Sequence, residues 1–103
     1  SAKINFNKLP LIQGTYELAQ QKFIPGGTKK NLDYISSEVN FSKDISQEEK
    51  YLMADSQTSG GLLISVSKDK AKDLQTLLIK NGCLSNTIIG EMEILNEFSI
   101  HVS

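Results

Sequence analysis

The chain has a single cysteine, Cys83, among its 103 residues. One thiol cannot form a disulfide within the chain and cannot build a thiolate-rich metal site. An excess of charge is also lacking, since 11 basic and 12 acidic residues give a net charge of -1. Dispersed, balanced charge argues against a nucleic acid or an anionic membrane surface as a partner.

Long apolar runs are absent as well. No stretch approaches the roughly 20 apolar residues that a membrane span needs, and the N-terminus lacks the basic and apolar regions of a signal peptide. We therefore expect a soluble cytoplasmic protein in a reducing compartment. A chain of 103 residues can bury one hydrophobic core but not two, so residues 1–103 are expected to form a single domain.

The pattern of apolar residues predicts an α+β fold. The expected order is strand, helix, long loop, strand, short helix, strand, helix, strand, strand, with residues 24–37 as the loop and residues 61–66 as a buried strand. Alternation in the last two strands predicts a hairpin through Asn96 and Glu97. This order favours a mostly antiparallel sheet with helices packed on one face, of ferredoxin-like character.

Local signals mark the ends of several elements. Ser46 and Glu49 have the spacing of a capping box at the start of a short helix. The first predicted helix has Pro10 near its start and a stripe made of Ile12, Tyr16, Ala19 and Phe23. Ser67 is a suitable N-cap for a later helix, which Asn81-Gly82 is expected to end.

Most residues that could carry chemistry are explained by structure alone. Cys83 follows a helix-ending Asn-Gly, and His101 shares the phase of polar Ser99, so neither has a reactive partner nearby in the sequence. Glu91 and Glu93 alternate with apolar residues, which predicts that both lie on the solvent side of a strand. No catalytic or metal-binding role is assigned to these side chains.

Two glycine-containing segments are less easily explained. Residues 25–30 combine glycines, a hydroxyl and two lysines, but they lack the spacing of a P-loop. The second segment consists of Gln57, Thr58, Ser59, Gly60 and Gly61. Adjacent glycines with hydroxyls suit the recognition of a phosphate group, while glycines that enter a strand also mark a bulge or a close crossing of two backbones. Both interpretations of residues 57–61 stay open on these grounds.

The second segment resembles a known family. Asp55-Ser56-Gln57-Thr58-Ser59-Gly60-Gly61-Leu62-Leu63 is similar to the Asp-Pro-Gln-Thr-Ser-Gly-Gly-Leu-Leu motif of selenophosphate synthetases, with Ser56 in place of proline. Further matches occur in the family's order: Leu9-Pro10, Gly14, Glu17-Leu18-Ala19, Pro25-Gly26-Gly27-Thr28 with Asn31, and Ile88-Ile89-Gly90-Glu91. The resemblance covers nearly the whole chain and identifies the family's C-terminal domain, which belongs to the AIR synthase-related superfamily.

The resemblance implies an enzyme that makes selenophosphate, AMP and phosphate from selenide, ATP and water, with magnesium. The family's reactive cysteine or selenocysteine, its lysine and its nucleotide- and metal-binding aspartates belong to the absent N-terminal catalytic domain and to a segment upstream of this one. The resemblance therefore implies that the isolated chain is inactive and binds no cofactor alone. It implies that residues 57–61 line or support the cleft between the domains, and that the whole enzyme is a homodimer.

Two alternatives remain. The chain could be the C-terminal domain of a related enzyme, namely aminoimidazole ribonucleotide synthetase, thiamine monophosphate kinase or a hydrogenase-maturation protein. It could also be a free-standing ferredoxin-like module that binds a small anion through residues 25–30 and 57–61. The Gln-Thr-Ser-Gly-Gly context favours the selenium enzyme.

Overall fold

The computed structural model describes all 103 residues. In chain order its elements are β1 (Ala2–Ile4), a 3₁₀ turn (Phe6–Lys8), α1 (Thr15–Gln20), α2 (Gly26–Ile35), β2 (Val39–Phe41), α3 (Gln47–Met53), a 3₁₀ turn (Lys68–Lys70), α4 (Ala71–Lys80), β3 (Gly90–Met92) and β4 (Ile100–Val102). Helices and a sheet occur together, which confirms the predicted α+β class. None of the helices combines the length and the apolar character needed to cross a membrane.

The four strands form one mixed sheet in the order β2-β4-β1-β3. Strand β1 pairs antiparallel with β3 and parallel with β4, while β2 and β4 are also parallel. The prediction of a mostly antiparallel sheet is therefore wrong. The hairpin predicted through Asn96 and Glu97 is wrong too, because β1 lies between β3 and β4. A hairpin turn joins only antiparallel neighbours, so the connection crosses the end of β1 instead.

The hydrophobic core lies between the sheet and two helices. Its buried cluster consists of Phe6, Val39, Ile45 and Val102. Ile35 of α2 and Leu52 and Met53 of α3 pack against this cluster. Helix α3 also packs against α1 and α2. Each fully buried side chain of this size stabilises the fold by about 1.5–3 kcal/mol, so this cluster holds α2 and α3 against the sheet.

The prediction of a long loop over residues 24–37 is wrong, because most of this segment is helix α2. Pro25 is its N-cap, with φ -59 and ψ 145. The inward face repeats at helical spacing, with Thr28 buried and Leu32 and Ile35 half-buried. Because a polar threonine occupies the first position of that face, the apolar pattern alone does not reveal the helix.

The first helix is shorter than predicted. It begins after Gly14, whose φ of 87 is a left-handed value that glycine adopts without steric cost. Ala19 is buried as expected, but Ile12 and Phe23 lie outside the helix and are 81% and 68% exposed. Pro10 likewise precedes the helix, so the predicted helix is longer than α1 at both ends.

Residues 61–66 do not form the buried strand that their composition predicts. They belong to no helix or strand and pair with none of the four strands. Their large apolar side chains are exposed, from 41% for Val66 to 90% for Leu62. An apolar run becomes a buried strand only when another strand pairs with it and a second layer covers it, and neither occurs here.

The predicted helix ends are largely confirmed. Ser46 Oγ accepts a hydrogen bond from the Glu49 N–H at 3.2 Å, and the Glu49 carboxylate accepts one from the Ser46 N–H at 2.6 Å. Gly82 follows α4 with a φ of 71 and donates its N–H to the carbonyl of Ile79 at 3.0 Å. Ser67 precedes the 3₁₀ turn that leads into α4, although its side chain forms no capping bond.

Candidate functional site

The two glycine-containing segments lie against each other in the structure. Thr28 lies in the first turn of α2 and is only 1% exposed. Its Oγ1 donates to Asp55 Oδ1 at 2.9 Å and accepts from the Ser56 N–H at 3.2 Å. Asp55 and Ser56 begin the Gln-Thr-Ser-Gly-Gly segment, so one threonine joins segments 27 residues apart in sequence.

Close packing supports this contact. A Cβ placed on Gly27 would lie 2.8 Å from Ser56 Oγ and 3.1 Å from Ser56 Cβ, so the start of α2 approaches Ser56 as closely as a glycine allows. One turn further along α2, Asn31 Nδ2 donates to the carbonyl of Ala54 at 3.1 Å. Ala54 is the C-cap of α3. Helix α2 is therefore joined by a hydrogen bond to the C-terminal end of α3.

The serine at position 56 has a structural consequence. The family motif that this segment resembles has proline at this position, and proline has no N–H. In this chain the Ser56 N–H provides the hydrogen bond that Thr28 Oγ1 accepts. The substitution therefore adds a bond between the two segments while it removes the fixed φ of a proline.

Residues 57–61, named here the 57–61 loop, extend from this contact into solvent. All five are exposed. Gln57 Nε2 approaches Asp55 Oδ2 at 3.5 Å, and a Cβ on Gly60 would lie 2.9 Å from Gln57 Oε1. The hydroxyls of Thr58 and Ser59 have no hydrogen-bond partner in the chain. Free hydroxyls and backbone N–H groups next to glycines are suited to hydrogen bonds with an anion.

Two shallow hollows flank the Thr28 and Asp55 contact. One of about 250 Å³ includes Asn31, Tyr34 and Asp55 in its lining, and one of about 190 Å³ includes Thr28 and Asp55. Pockets that bury most of a small ligand usually measure about 300–1,000 Å³. Each hollow is therefore too small to enclose a nucleotide without further walls.

The shifted pKa values in this chain belong to ion pairs away from the loop. A hydrogen bond from Lys22 lowers the pKa of Glu48, and one from Lys3 at 2.8 Å lowers the pKa of Glu93. The partner lysines have raised pKa values for the same reason. Each shift is explained by its partner, so these pairs do not indicate a catalytic group.

The remaining candidates from the sequence stay apart from the site. Cys83 is a free, exposed thiol after α4. His101, on β4, lies 2.6 Å through Nε2 from Asn96 Oδ1 and 3.4 Å through Nδ1 from Asn40 Nδ2. Nowhere do three or more histidine, cysteine, aspartate or glutamate side chains converge as a metal site requires. The structure thus gives Cys83 and His101 no shared chemistry.

Sequence reasoning named residues 57–61 but missed the side chains that hold them. Thr28 was considered as the hydroxyl of residues 25–30, Asn31 only as part of a resemblance, and Asp55 only as the start of a motif. The available signal was the helical spacing of Thr28, Leu32 and Ile35, which places Thr28 on the inward face of α2.

Comparison with known proteins gives a consistent result. The chain is 41% identical over 87 residues to the selenide, water dikinase of Carboxydothermus hydrogenoformans, a match that covers 84% of this chain and 25% of that protein. It is 43% identical over 101 residues to the selenide, water dikinase of Caldanaerobacter subterraneus subsp. tengcongensis, covering 96% of this chain and 29% of that protein. The relative from Clostridioides difficile is 38% identical over 92 residues. No family model matches the chain.

Proposed function

The chain is homologous to selenide, water dikinases, spanning about a quarter of their length, and we propose that it is the C-terminal domain of such an enzyme. The complete enzyme makes selenophosphate, AMP and phosphate from selenide, ATP and water in the cytoplasm. The observation that carries the proposal is the identity of 32% to 43% with eight relatives of this name, over most of the chain.

Within that enzyme the 57–61 loop lines the cleft between the domains near the phosphates of ATP. Two features support this role. The loop presents the free hydroxyls of Thr58 and Ser59, and it adjoins the N-terminus of α2 through Thr28. The N-terminal end of a helix carries partial positive charge, which favours a phosphate group nearby. The hollows beside the loop become a full pocket only with walls from another domain.

The reactive groups belong to the rest of the polypeptide. Phosphoryl transfer requires positioned positive charge and magnesium around the transferred group. Beside Thr28 this chain offers hydrogen-bond donors, the exposed Lys29 and Lys30 of α2, and one carboxylate, Asp55, which Thr28 and Gln57 already contact. Its share in a site for ATP and magnesium is therefore to bind and orient phosphate oxygens. We assign no catalytic or metal-binding residue in this chain, and we propose that the N-terminal domain and a second subunit complete the enzyme.

A comparison of the isolated chain with the full-length polypeptide tests this proposal. Full-length protein is expected to form AMP from ATP only when selenide is present, while the 103-residue chain forms none. In the full-length protein, Ser59→Ala is expected to raise the KM for ATP. Ser85→Ala, which changes an exposed serine outside the site, serves as its matched control. Selenide-dependent AMP formation by the isolated chain would refute the claim that catalysis resides elsewhere.

A second function has one observation in its favour. The exposed hydroxyls of the 57–61 loop and the N-terminus of α2 lie together within this chain alone, as a free-standing anion-binding module needs. Titration of the isolated chain with ATP and with inorganic phosphate separates the two proposals. Saturable binding of either by the chain alone would favour the module, while flat titrations favour a domain that needs its partner.

A further inference from the structure

The contact of Thr28 with Asp55 and Ser56 holds the start of the 57–61 loop in place. Beyond Ser56, no backbone group of residues 57–66 takes part in a hydrogen bond with another backbone group. The next such bond along the chain runs from the N–H of Lys70 to the carbonyl of Ser67. The direction in which the loop leaves the domain is therefore set where Asp55 and Ser56 meet Thr28.

The contact is built to be rigid. Thr28 is the most deeply buried side chain of its size in the molecule, and its single hydroxyl acts both as donor to Asp55 and as acceptor from Ser56. Both polar partners belong to consecutive residues, so the hydroxyl fixes a peptide unit as well as a side chain. The absence of a side chain at Gly27 lets Ser56 lie this close to α2, since a Cβ at position 27 would be 2.8 Å from Ser56 Oγ.

We infer that Thr28 is a positioning residue, which orients the 57–61 loop toward the phosphates through Asp55 and Ser56. This inference rests on the proposed function, in which that loop lines the cleft for ATP. Thr28 is buried beneath the loop and touches no substrate. Its effect is transmitted by the two hydrogen bonds, and a displacement of the loop by about 1 Å is enough to lower a reaction rate substantially.

Three threonine substitutions in the full-length protein test the inference. Thr28→Val keeps the shape of the side chain and removes both hydrogen bonds, while Thr28→Ser keeps the hydroxyl. Thr76→Val is the matched control, because Thr76 Oγ1 bonds only to the carbonyl of Lys72 within α4. We expect Thr28→Val to lower kcat/KM for ATP by about tenfold or more, with Thr28→Ser and Thr76→Val near wild type.

A second measurement follows the contact itself. Hydrogen exchange of the Ser56 amide, measured by NMR in the 103-residue chain, is expected to be slow in wild type and Thr28→Ser and fast in Thr28→Val. If Thr28→Val does not fold, Asp55→Ala replaces it, because this half-buried side chain accepts the same bond. It is expected to lower kcat/KM in the same direction.

The outcomes separate the inference from the proposed function. If wild-type full-length protein forms no AMP with selenide, the proposed function fails, and the Ser56 amide still tests the contact. If wild type is active and Thr28→Val matches Thr76→Val in kcat/KM, the inference is overturned. Equal Ser56 exchange in wild type and Thr28→Val also overturns it. A fall in melting temperature with unchanged kinetic constants assigns Thr28 to stability alone.

Discussion

The pairing of β1 with β3 depends on the absence of a side chain at Gly90. Gly90 is the register partner of Ile4. A Cβ built on Gly90 would lie 1.9 Å from the carbonyl oxygen of Lys3 and 3.1 Å from the Cα of Ile4. Both contacts are with backbone, so no rotation of a side chain can relieve them. Gly90→Ala must therefore push β3 away from β1.

The expected cost follows from what this separation disrupts. Hydrogen bonds flank the pair on both sides, from the Asn5 N–H to Ile89 O at 2.9 Å and from the Glu93 N–H to Ser1 O at 2.8 Å. Each such bond contributes about 0.5–1.5 kcal/mol net, and forcing atoms into a packed region costs about 1–3 kcal/mol. We expect Gly90→Ala to lower the free energy of unfolding by about 2–6 kcal/mol if both bonds are lost.

Urea unfolding followed by circular dichroism measures this loss. With a slope of about 1–3 kcal/mol per molar urea, the midpoint should fall by at least about 0.7 M. Gly26→Ala is the matched control, because a Cβ at that position meets nothing within 4 Å. Its midpoint should equal or exceed that of wild type. Equal midpoints for the Gly90 and Gly26 variants would refute the register of β1 and β3 described above.

Four further results are expected. Ser46→Ala should destabilise the chain by about 1 kcal/mol through loss of the helix cap, measured by urea unfolding. Gly82→Ala should cost about 1–2 kcal/mol, because a φ of 71 is strained for alanine; an unchanged melting temperature would contradict it. The folded pKa of Glu93 lies below 4.5 because of Lys3, so the stability that Glu93→Gln removes should be present above pH 4.5 and fade as pH falls further. Ellman's reagent should modify Cys83 without denaturant, since the thiol is exposed.

The local parts of the prediction were sound because they depend on residues close in sequence. The capping box at Ser46 needs only a carboxylate three residues later. The end of α4 needs only a glycine where the backbone turns left-handed. Strand β2 (Val39–Phe41) likewise occupies the place of the strand predicted after residues 24–37. Such signals are complete within a few residues, so no distant contact is needed to read them.

The long-range parts were wrong wherever a distant segment decided the outcome. Pro25 and the two glycines after it are typical of a turn and so predict a loop, whereas packing of Ile35 against the core stabilises helix α2. The composition of residues 61–66 predicts a buried strand, but composition cannot reveal whether a pairing strand exists. The antiparallel sheet was wrong because the insertion of β1 between β3 and β4 is invisible in a linear pattern.

The sequence by itself determined the α+β class, the local helix signals and the motif from Asp55 to Leu63 that indicates selenide, water dikinases. Only the tertiary structure decided that Thr28, buried in α2, holds the first residues of that motif. The physical reason is that a motif consists of consecutive residues. The hydrogen bonds that hold its first residues come instead from the hydroxyl of Thr28, which lies 27 positions before Asp55. Burial of that hydroxyl, and the close approach of Gly27 to Ser56, exist only once α2 packs against α3.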